Sequence, residues 1–419
     1  MRLNLRRRRR ARAAEVGFTG GNELELLRGG DELFPRMQAA IRHAHSDIWL
    51  ATYIFHSDAT ALALADALIA ADRRGVRVRL VIDGFGSNGS LRELRERFAG
   101  SGVALAVFRP MDRWWRWLQP GQLRRLHQKL CVVDGAVAFV GGINVIDDRL
   151  DLHHGPSELP RLDFAVALRG SLVELVGQSV RAIWSRAWLG RDFDDALLDY
   201  VPLRRRLGLW FSQVWRGPQR LPEPVMPMAP VCAAFVLRDN LRRRRTIEHA
   251  YADAIANARG SVDILCPYFY PGQRIRQALR SAADRGVRVR LLLQGKLDYR
   301  LAGWAAEALY AELIGHGVEI YEYTPAFLHA KVAVVDGIWA TVGSSNIDPL
   351  SLLLNLEANV VVHDAAFATQ LAREVDAAIA VSQRVGESGG KGLRAMLRRA
   401  VVAWFAYVFL RVAGAAGRY

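Results

Sequence analysis

The chain has 419 residues, 51% of them apolar, which is enough to bury cores for two or three domains and argues against a disordered polypeptide. Its formal net charge of +15 favours a polyanionic partner, and composition alone leaves both nucleic acid and an anionic membrane surface open. The chain has only four lysines against 53 arginines. Each lysine therefore marks a position that carries an ammonium group where this protein otherwise uses a guanidinium.

The start of the chain is basic, with arginines at 6–10, and lacks the apolar core of a secretory signal, so we expect no export. The three cysteines, Cys131, Cys232 and Cys266, lie far apart in apolar surroundings. Their spacing suits neither a disulfide framework nor a zinc site. We therefore predict buried thiols in a reducing compartment, no metal site and no cofactor.

An internal duplication organises the chain. The heptapeptide RGVRVRL occurs at 74–80 and again at 285–291, each time after a helical pattern and before an apolar strand. Upstream of each copy come an amphipathic helix and a strand with an aromatic end, and downstream comes a strand–turn–strand segment containing VVDG. This order predicts two duplicated α/β sandwich domains, each with a mainly parallel or mixed sheet, related by a pseudo-two-fold axis.

The duplication and the composition suggest five segments. We predict a basic amino-terminal segment at 1–20, a first half at 21–200 and a second half at 231–385. A proline cluster makes 201–230 a linker between the halves. The remaining residues, 386–419, are predicted to associate with a membrane.

Each half carries one His-x-Lys-x4-Asp cassette. The first is His127, Lys129 and Asp134, and the second is His329, Lys331 and Asp336. Two of the four lysines lie inside these cassettes, which makes chance an unsatisfactory explanation. If each cassette lies in a strand, its histidine and lysine point to the same face because side chains two residues apart do so.

These residue types fit phosphoryl chemistry at one shared site. One imidazole attacks phosphorus and the other protonates the leaving alkoxide and later deprotonates the incoming alcohol or water. The two lysines supply positive charge for the phosphate oxygens without a metal. We give the aspartates a supporting role within the catalytic set.

Small and polar side chains follow the cassettes and are candidates for substrate binding through hydrogen bonds to phosphate oxygens. They are Asn144 in the first half and Ser344, Ser345 and Asn346 in the second. Two lone acids, Asp163 and Glu357, enter apolar strands farther on. Each is interpreted as a buried acid that orients a histidine, and an ordinary acid at the edge of a strand remains the alternative.

The two cassettes, the GGIN and GSSN segments that follow them and the TYIF and PYF strand ends resemble the phospholipase D superfamily. The run GSSNIDPLSLLLNLEANV at 343–360 is most similar to bacterial cardiolipin synthases, especially the B type. The similarity covers roughly residues 20–385. Where that family often carries an acid before its TYIF-like strand end, this chain has Ala51.

The resemblance implies conversion of phosphatidylglycerol to cardiolipin with release of glycerol, through a covalent phosphohistidine. It implies that His127 is the nucleophile and His329 the general acid, although the symmetry of the cassettes allows the reverse. It places the cassette aspartates in structural pairing.

The ends of the chain favour lipid over nucleic acid. Residues 391–413 place basic side chains beside an aromatic and aliphatic run, as expected of an interfacial helix on anionic lipid. Three tryptophans at 114–117 alternate with arginine shortly before the first cassette, although core packing also explains such a cluster. We expect a peripheral enzyme on the cytoplasmic face of the cell membrane, with phosphatidylglycerol as substrate and no nucleic acid. A phospholipase or nuclease that uses water, and a catalytically silent membrane scaffold, are the alternatives.

Overall fold

The computed structural model describes residues 17–111, 124–152, 155–196, 231–239, 245–295, 309–348, 351–352 and 355–386. The tryptophan cluster, the predicted linker, the first 16 residues and nearly all of the predicted carboxyl-terminal segment lie outside these residues. Among the described residues, no helix combines the length and apolar character that crossing a bilayer requires.

The described residues fall into two compact units. The amino-terminal unit comprises Phe18–Leu150 and Ala165–Phe235, and the carboxyl-terminal unit comprises Asp151–Phe164 and the residues from Val236 onward. The units therefore interleave in sequence, which differs from the sequential halves expected from the duplication. The 14 residues 151–164 follow the first cassette but pack with the second half.

The amino-terminal half begins with alternating strands and helices. In chain order they are β1 (Thr19–Arg28), α1 (Gly29–Arg42), β2 (Asp47–Thr52), α2 (Ala59–Arg73), β3 (Arg77–Asp83), α3 (Leu91–Phe98), β4 (Ala104–Phe108), β5 (Lys129–Val133), β6 (Val137–Gly141), β7 (Leu150–Asp151), β8 (Gly155–Pro156), β9 (Phe164–Gly170) and α4 (Leu172–Ala196). Strands β2, β3 and β4 are parallel, and β5, β6 and β9 continue the sheet antiparallel to their neighbours. Strands β7 and β8 form a separate two-stranded sheet.

The carboxyl-terminal half repeats this pattern. Its elements are β10 (Val231–Arg238), α5 (Thr246–Asn257), β11 (Ser261–Leu265), α6 (Gln273–Asp284), β12 (Arg288–Gln294), β13 (Glu319–Tyr323), β14 (Val332–Val335), β15 (Trp339–Gly343), β16 (Glu357–His363), α7 (Ala365–Ala380) and β17 (Gln383–Arg384). The order β13-β12-β11-β14-β15-β16 matches β4-β3-β2-β5-β6-β9, with the same parallel and antiparallel pairs. The prediction of duplicated α/β domains with mixed sheets is confirmed.

The repeated RGV sequence has a local structural cause. Gly75 and Gly286 follow α2 and α6 with φ of 90° and 85°, a conformation that glycine adopts without penalty. The N–H groups of Val76 and Val287 donate to carbonyls five residues back, which closes a Schellman cap on each helix. After each cap the chain continues directly into the following strand, β3 or β12.

Helices cover both faces of the sheet in the amino-terminal unit, and so its strands are apolar on both sides. Ile48 and Leu50 of β2 belong to the core that α1, α2 and α3 cover. Trp49, between them, lies on the other face, where its ring centroid is 5.8 Å from that of Trp184 in α4. Cys131 and Cys266 are buried, as predicted. Cys232 is exposed, because it is the second residue of β10 and the buried part of that strand starts at the next residue.

Candidate active site

The two cassettes occupy matching positions at the start of the first antiparallel strand of each half. Strand β5 begins at Lys129 and β14 at Val332, so both histidines precede their strands. The prediction that histidine and lysine share one strand is wrong in this respect. The reason is that the residue before each histidine is held by a side chain: Asp83 Oδ2 accepts from the N–H of Leu126 at 2.9 Å, and Gln294 Oε1 accepts from that of Leu328 at 2.7 Å.

Each cassette lysine binds the backbone of its own histidine. Lys129 Nζ donates to the carbonyl of His127 at 2.8 Å, and Lys331 Nζ donates to the carbonyl of His329. Both lysines are buried. Burial lowers the pKa of the Lys331 ammonium, against the opposing field of Asp163, Cys266 and Glu357. A compact ammonium fits this enclosed position better than the wider guanidinium of arginine.

A carboxylate fixes the orientation of the second histidine. Asp163 Oδ2 lies 2.6 Å from Nδ1 of His329, and Asp163 Oδ1 accepts from the N–H of Phe164 at 2.8 Å. Asp163 is 1% exposed, whereas 22% of the His329 side chain is accessible. Because an ionised carboxylate only accepts hydrogen bonds, this contact keeps a proton on Nδ1 and leaves Nε2 as the nitrogen that can gain or lose a proton.

The backbone brings this acid and this histidine together. Leu162 forms a parallel bridge with Leu328, the N–H of Leu162 donates to the carbonyl of Phe327, and the N–H of His329 donates to the carbonyl of Leu162. All these residues belong to the carboxyl-terminal unit. The acid that follows the first cassette therefore serves the histidine of the second.

The first histidine packs against an aromatic ring. The rings of Tyr53 and His127 lie 5.1 Å apart at an interplanar angle of 63°, and Lys129 Nζ lies 5.6 Å from the centre of the Tyr53 ring. An aromatic face favours a nearby cation. Sequence reasoning noted the TYIF strand end but did not assign Tyr53 to the site.

The cassette aspartates lie at the far ends of their strands. Asp134 accepts from the N–H groups of His45, Ser46 and Asp47, all within 3.0 Å. Asp336 makes the equivalent bonds to three successive N–H groups, at 259–261.

Burial acts to raise the pKa of each cassette carboxyl, but these hydrogen bonds outweigh it and the net pKa is lowered. Both aspartates and the glycine after each have φ between 52° and 65°, as a type I′ hairpin turn requires. The described contacts of both aspartates hold backbone N–H groups, at the opposite end of the strand from the cassette lysine.

The candidate substrate-binding residues are largely held by the protein itself. Asn144 Oδ1 accepts from the N–H of Ile54 at 3.2 Å. Ser344 Oγ donates to Glu357 Oε2 at 2.6 Å, and the N–H of Ser345 donates to Asn359 Oδ1 at 3.4 Å.

Asn346 is 8% exposed, and its Oδ1 has no hydrogen-bond partner among the described residues. It is therefore the candidate with an acceptor left for a ligand. The glycine of the GSSN segment is required by packing, since a Cβ at Gly343 would lie 2.2 Å from Asn359 Oδ1.

The sequence analysis did not identify Asp83 and Gln294 as residues of the site. They end the parallel strands β3 and β12, and ligands in α/β sheets characteristically bind beyond such carboxyl ends. Burial raises the pKa of Asp83 to about 6, against the opposing effects of Arg125 and three backbone N–H groups. Among the described residues, no group of three or more histidine, cysteine or acidic side chains is arranged to hold a metal ion.

Known proteins share this fold. Phosphatidylserine synthase from Haemophilus influenzae superposes with a TM-score of 0.64 at 14% identity, covering 96% of this chain and 98% of that one. Polyphosphate kinase from Porphyromonas gingivalis gives a TM-score of 0.50, also at 14% identity, with 53% of its chain covered. These likenesses concern the fold alone.

Sequence comparison gives the family. Residues 37–154 and 251–379 match the family model described as cardiolipin synthase, PLD-like domain. Cardiolipin synthase B of Escherichia coli is 36% identical over 369 residues, which cover 88% of this chain and 83% of that protein. The major cardiolipin synthase ClsA of Bacillus subtilis is 30% identical, with 88% and 71% covered. This chain therefore belongs to the cardiolipin synthase family of phospholipase D-like proteins.

Proposed function

We propose that this protein is a cardiolipin synthase that transfers a phosphatidyl group from one phosphatidylglycerol to the hydroxyl of another, forming cardiolipin and glycerol. The observation that carries the proposal is the equivalent placement of two His-x-Lys cassettes before β5 and β14 of two topologically matching halves. Two imidazoles with separate roles are what a two-step transfer through an enzyme-bound phosphatidyl group requires.

In the first step an imidazole nitrogen attacks phosphorus, the bond to glycerol breaks, and the second imidazole protonates the departing oxygen. In the second step that imidazole removes the proton of the acceptor hydroxyl, whose oxygen displaces the histidine nitrogen from phosphorus. Family resemblance favours His127 as the nucleophile and His329 as the acid–base group. Lys129 and Lys331 stabilise charge on the phosphate oxygens. Asp163 keeps the proton on Nδ1 of His329 and orients the ring, so that Nε2 gives up a proton in the first step and takes one back in the second.

The proposed setting is the surface of an anionic membrane on the cytoplasmic face. A net charge of +15 supports attraction to anionic headgroups. Phospholipids are the substrates, and no nucleic acid is needed for the reaction. The basic and aromatic run at 391–413, outside the described residues, is the proposed contact with lipid.

The test incubates purified protein with vesicles of labelled phosphatidylglycerol in the presence of EDTA and resolves the products. Cardiolipin and glycerol in equal amounts support the proposal. Phosphatidic acid as the sole product would instead identify a hydrolase of the phospholipase D type. Cleavage of DNA with no lipid product would identify a nuclease, and complete inactivity on both would favour a membrane scaffold.

Variants connect this activity to the cassettes. His127→Ala and His329→Ala should each abolish turnover, while His45→Ala, at an exposed histidine, should not. Rapid acid-free quenching of wild type with labelled lipid should trap a protein-bound phosphatidyl group that His127→Ala cannot form. Wild-type turnover by either cassette variant would remove that histidine from the mechanism.

A further inference from the structure

The two halves differ in charge at the approach to their cassettes. The register of the strands makes Asp83 correspond to Gln294 and Phe108 to Tyr323, since each of these pairs lies across the same two parallel strands. The next residue is Arg109 in the first half and Thr324 in the second. Counting back from the histidines, Arg124 and Arg125 correspond to Ala326 and Phe327.

The fold itself does not require this charge. Gln294 accepts the N–H of Leu328 as Asp83 accepts that of Leu126, so a neutral side chain builds the same connection. The second half therefore serves as an internal reference that forms the same local structure without arginine. Three arginines concentrated before one cassette call for a functional explanation.

These residues form a compact group, here called the arginine cluster: Arg109, Arg124 and Arg125. Arg109 Nη1 donates to the carbonyl of Arg124 at 2.9 Å, and Arg125 Nη1 donates to the carbonyl of Arg109 at 3.2 Å. Asp83 lies 3.7 Å from Arg125 and is the carboxylate that the described contacts place beside the three guanidiniums. Within the described part of the chain the positive charges of this group outnumber the negative ones, and Arg186 of α4 adds to the field at Arg109.

The excess charge is electrostatically costly. The pKa of Arg109 is lowered to about 10, first by burial and then by Arg124, Arg125 and Arg186, with Asp83 opposing. Like charges held together in this way are stabilised when an anion binds among them. Arginine also presents several N–H donors in a planar arrangement that matches phosphate oxygens.

The position of the arginine cluster suggests which anion this is. Arg125 is two residues before His127, so their Cα atoms are at most about 7 Å apart. In cardiolipin two phosphates are joined by a three-carbon bridge, so the acceptor's own phosphate must lie near the reacting one. Phe85, which is 44% exposed, has its ring centre 5.3 Å from the Arg125 guanidinium and offers an apolar surface beside the charge.

We propose that the arginine cluster binds the non-reacting phosphate of the acceptor phospholipid and so selects an anionic lipid over water or a neutral alcohol. This inference rests on the proposed cardiolipin synthase function. The acceptor hydroxyl then lies beside the phosphatidyl group held on histidine. Its oxygen forms the new P–O bond as the P–N bond breaks, and its proton passes to the acid–base histidine.

The test compares two acceptors competing for the same phosphatidyl group. Labelled phosphatidylglycerol vesicles are incubated with ethanol, so that cardiolipin and phosphatidylethanol form together. Arg124→Gln removes one guanidinium whose described contacts use only its backbone, and Arg109→Asn/Arg124→Gln removes two, with asparagine tolerated at the φ of 51° found at Arg109. We expect the ratio of cardiolipin to phosphatidylethanol to fall about tenfold in the single variant and further in the double one.

Arg95→Gln is the matched control, because it removes the same charge from an exposed position on α3. Its product ratio should equal that of wild type. A parallel fall of both products in Arg124→Gln, or an unchanged ratio, would overturn the acceptor site. A melting temperature well below that of wild type would show that the double variant is destabilised. The product ratio of the single variant Arg124→Gln then provides the test. If wild type makes no cardiolipin, the proposed function fails before the arginine cluster is tested.

Inhibition by inorganic phosphate tests whether the arginine cluster binds the phosphate of the acceptor lipid or a free anion. In wild type it should inhibit cardiolipin formation in competition with the acceptor lipid, and in Arg124→Gln this inhibition should weaken. Phosphate that binds at the arginine cluster without competing with the acceptor would assign the cluster to a free anion and overturn the proposal.

Discussion

Oδ2 of Asp163 lies 2.6 Å from Nδ1 of His329, although 166 residues separate them in the chain. The second cassette is thus completed by an acid that follows the first. Asp163 corresponds to Glu357, since each lies two residues before the residue that pairs with the last glycine of β6 or β15. The segment 151–164, which follows the first cassette, thus belongs to the carboxyl-terminal unit.

Replacing Asp163 tests its effect on the histidine. Asp163→Asn presents an amide in place of a carboxylate, which no longer stabilises an imidazolium and permits the wrong tautomer. We expect kcat to fall at least about 100-fold with a small change in KM, measured as cardiolipin formation. Glu158→Gln, at an exposed acid of the same segment, should retain wild-type kcat. Equal activity of the two variants would remove Asp163 from the mechanism.

Tyr53 should act through its ring. It contacts His127 and lies near Lys129, and a proline, Pro267, occupies the corresponding position of the second half. Tyr53→Leu should lower kcat about tenfold, because the ring no longer positions the imidazole or stabilises the neighbouring cations. Tyr53→Phe keeps the ring and should remain within about threefold of wild type. The prediction fails if the phenylalanine variant is as impaired as the leucine variant.

Arg125 should stabilise the protein in a pH-dependent manner. The pKa of Asp83 is raised to about 6 by burial, so in wild type this residue's contribution to stability declines as pH rises from about 4 through 6. Without Arg125 the ionised carboxylate loses its counter-ion, whereas the protonated form does not need one. Arg125→Gln should therefore cost about 2 kcal/mol more at pH 8 than at pH 5.

Denaturant unfolding at the two pH values measures this difference. Arg92→Gln is the control, because Arg92 forms an exposed ion pair with Glu96 on α3. Its effect on the free energy of unfolding should be small at both pH values. A pH-independent loss in Arg125→Gln would show that Arg125 does not act through Asp83.

The cassette aspartates should affect stability more than catalysis. The lowered pKa of Asp134 means that its contribution is present above the pKa of the unfolded chain, about 4, and is lost as pH falls through the folded value. Because the carboxylate is partly exposed, Asp134→Asn should cost only about 1 kcal/mol at pH 7, and the difference from wild type should shrink toward pH 3.

Cardiolipin formation well below the melting temperature completes that comparison. We expect kcat of Asp134→Asn to stay within about threefold of wild type, and the same of Asp336→Asn, which has the equivalent hydrogen bonds. A large loss of kcat without loss of stability would place these residues in the chemistry after all.

Local sequence signals predicted much of the fold. The RGV repeats encode helix caps at Gly75 and Gly286, and the Asp-Gly pairs at 134–135 and 336–337 encode hairpin turns. Such signals depend on a few neighbouring residues, so they can be read directly. Strand ends were less accurate. The TYIF segment was interpreted as the end of a strand, but β2 ends at its first residue, Thr52, because the chain then turns to pair with the segment after β6.

By itself the sequence determined the duplication, the α/β class and the two cassettes with their histidines and lysines, because periodicity and fixed spacing are local properties of a chain. Only the tertiary structure decided that Asp163 serves His329, that Tyr53 packs on His127 and that Asp83 and Gln294 hold the cassette approaches. Each of those contacts joins segments from different strands, and side-chain pairing between distant segments follows from how the sheet is wound rather than from any spacing along the chain.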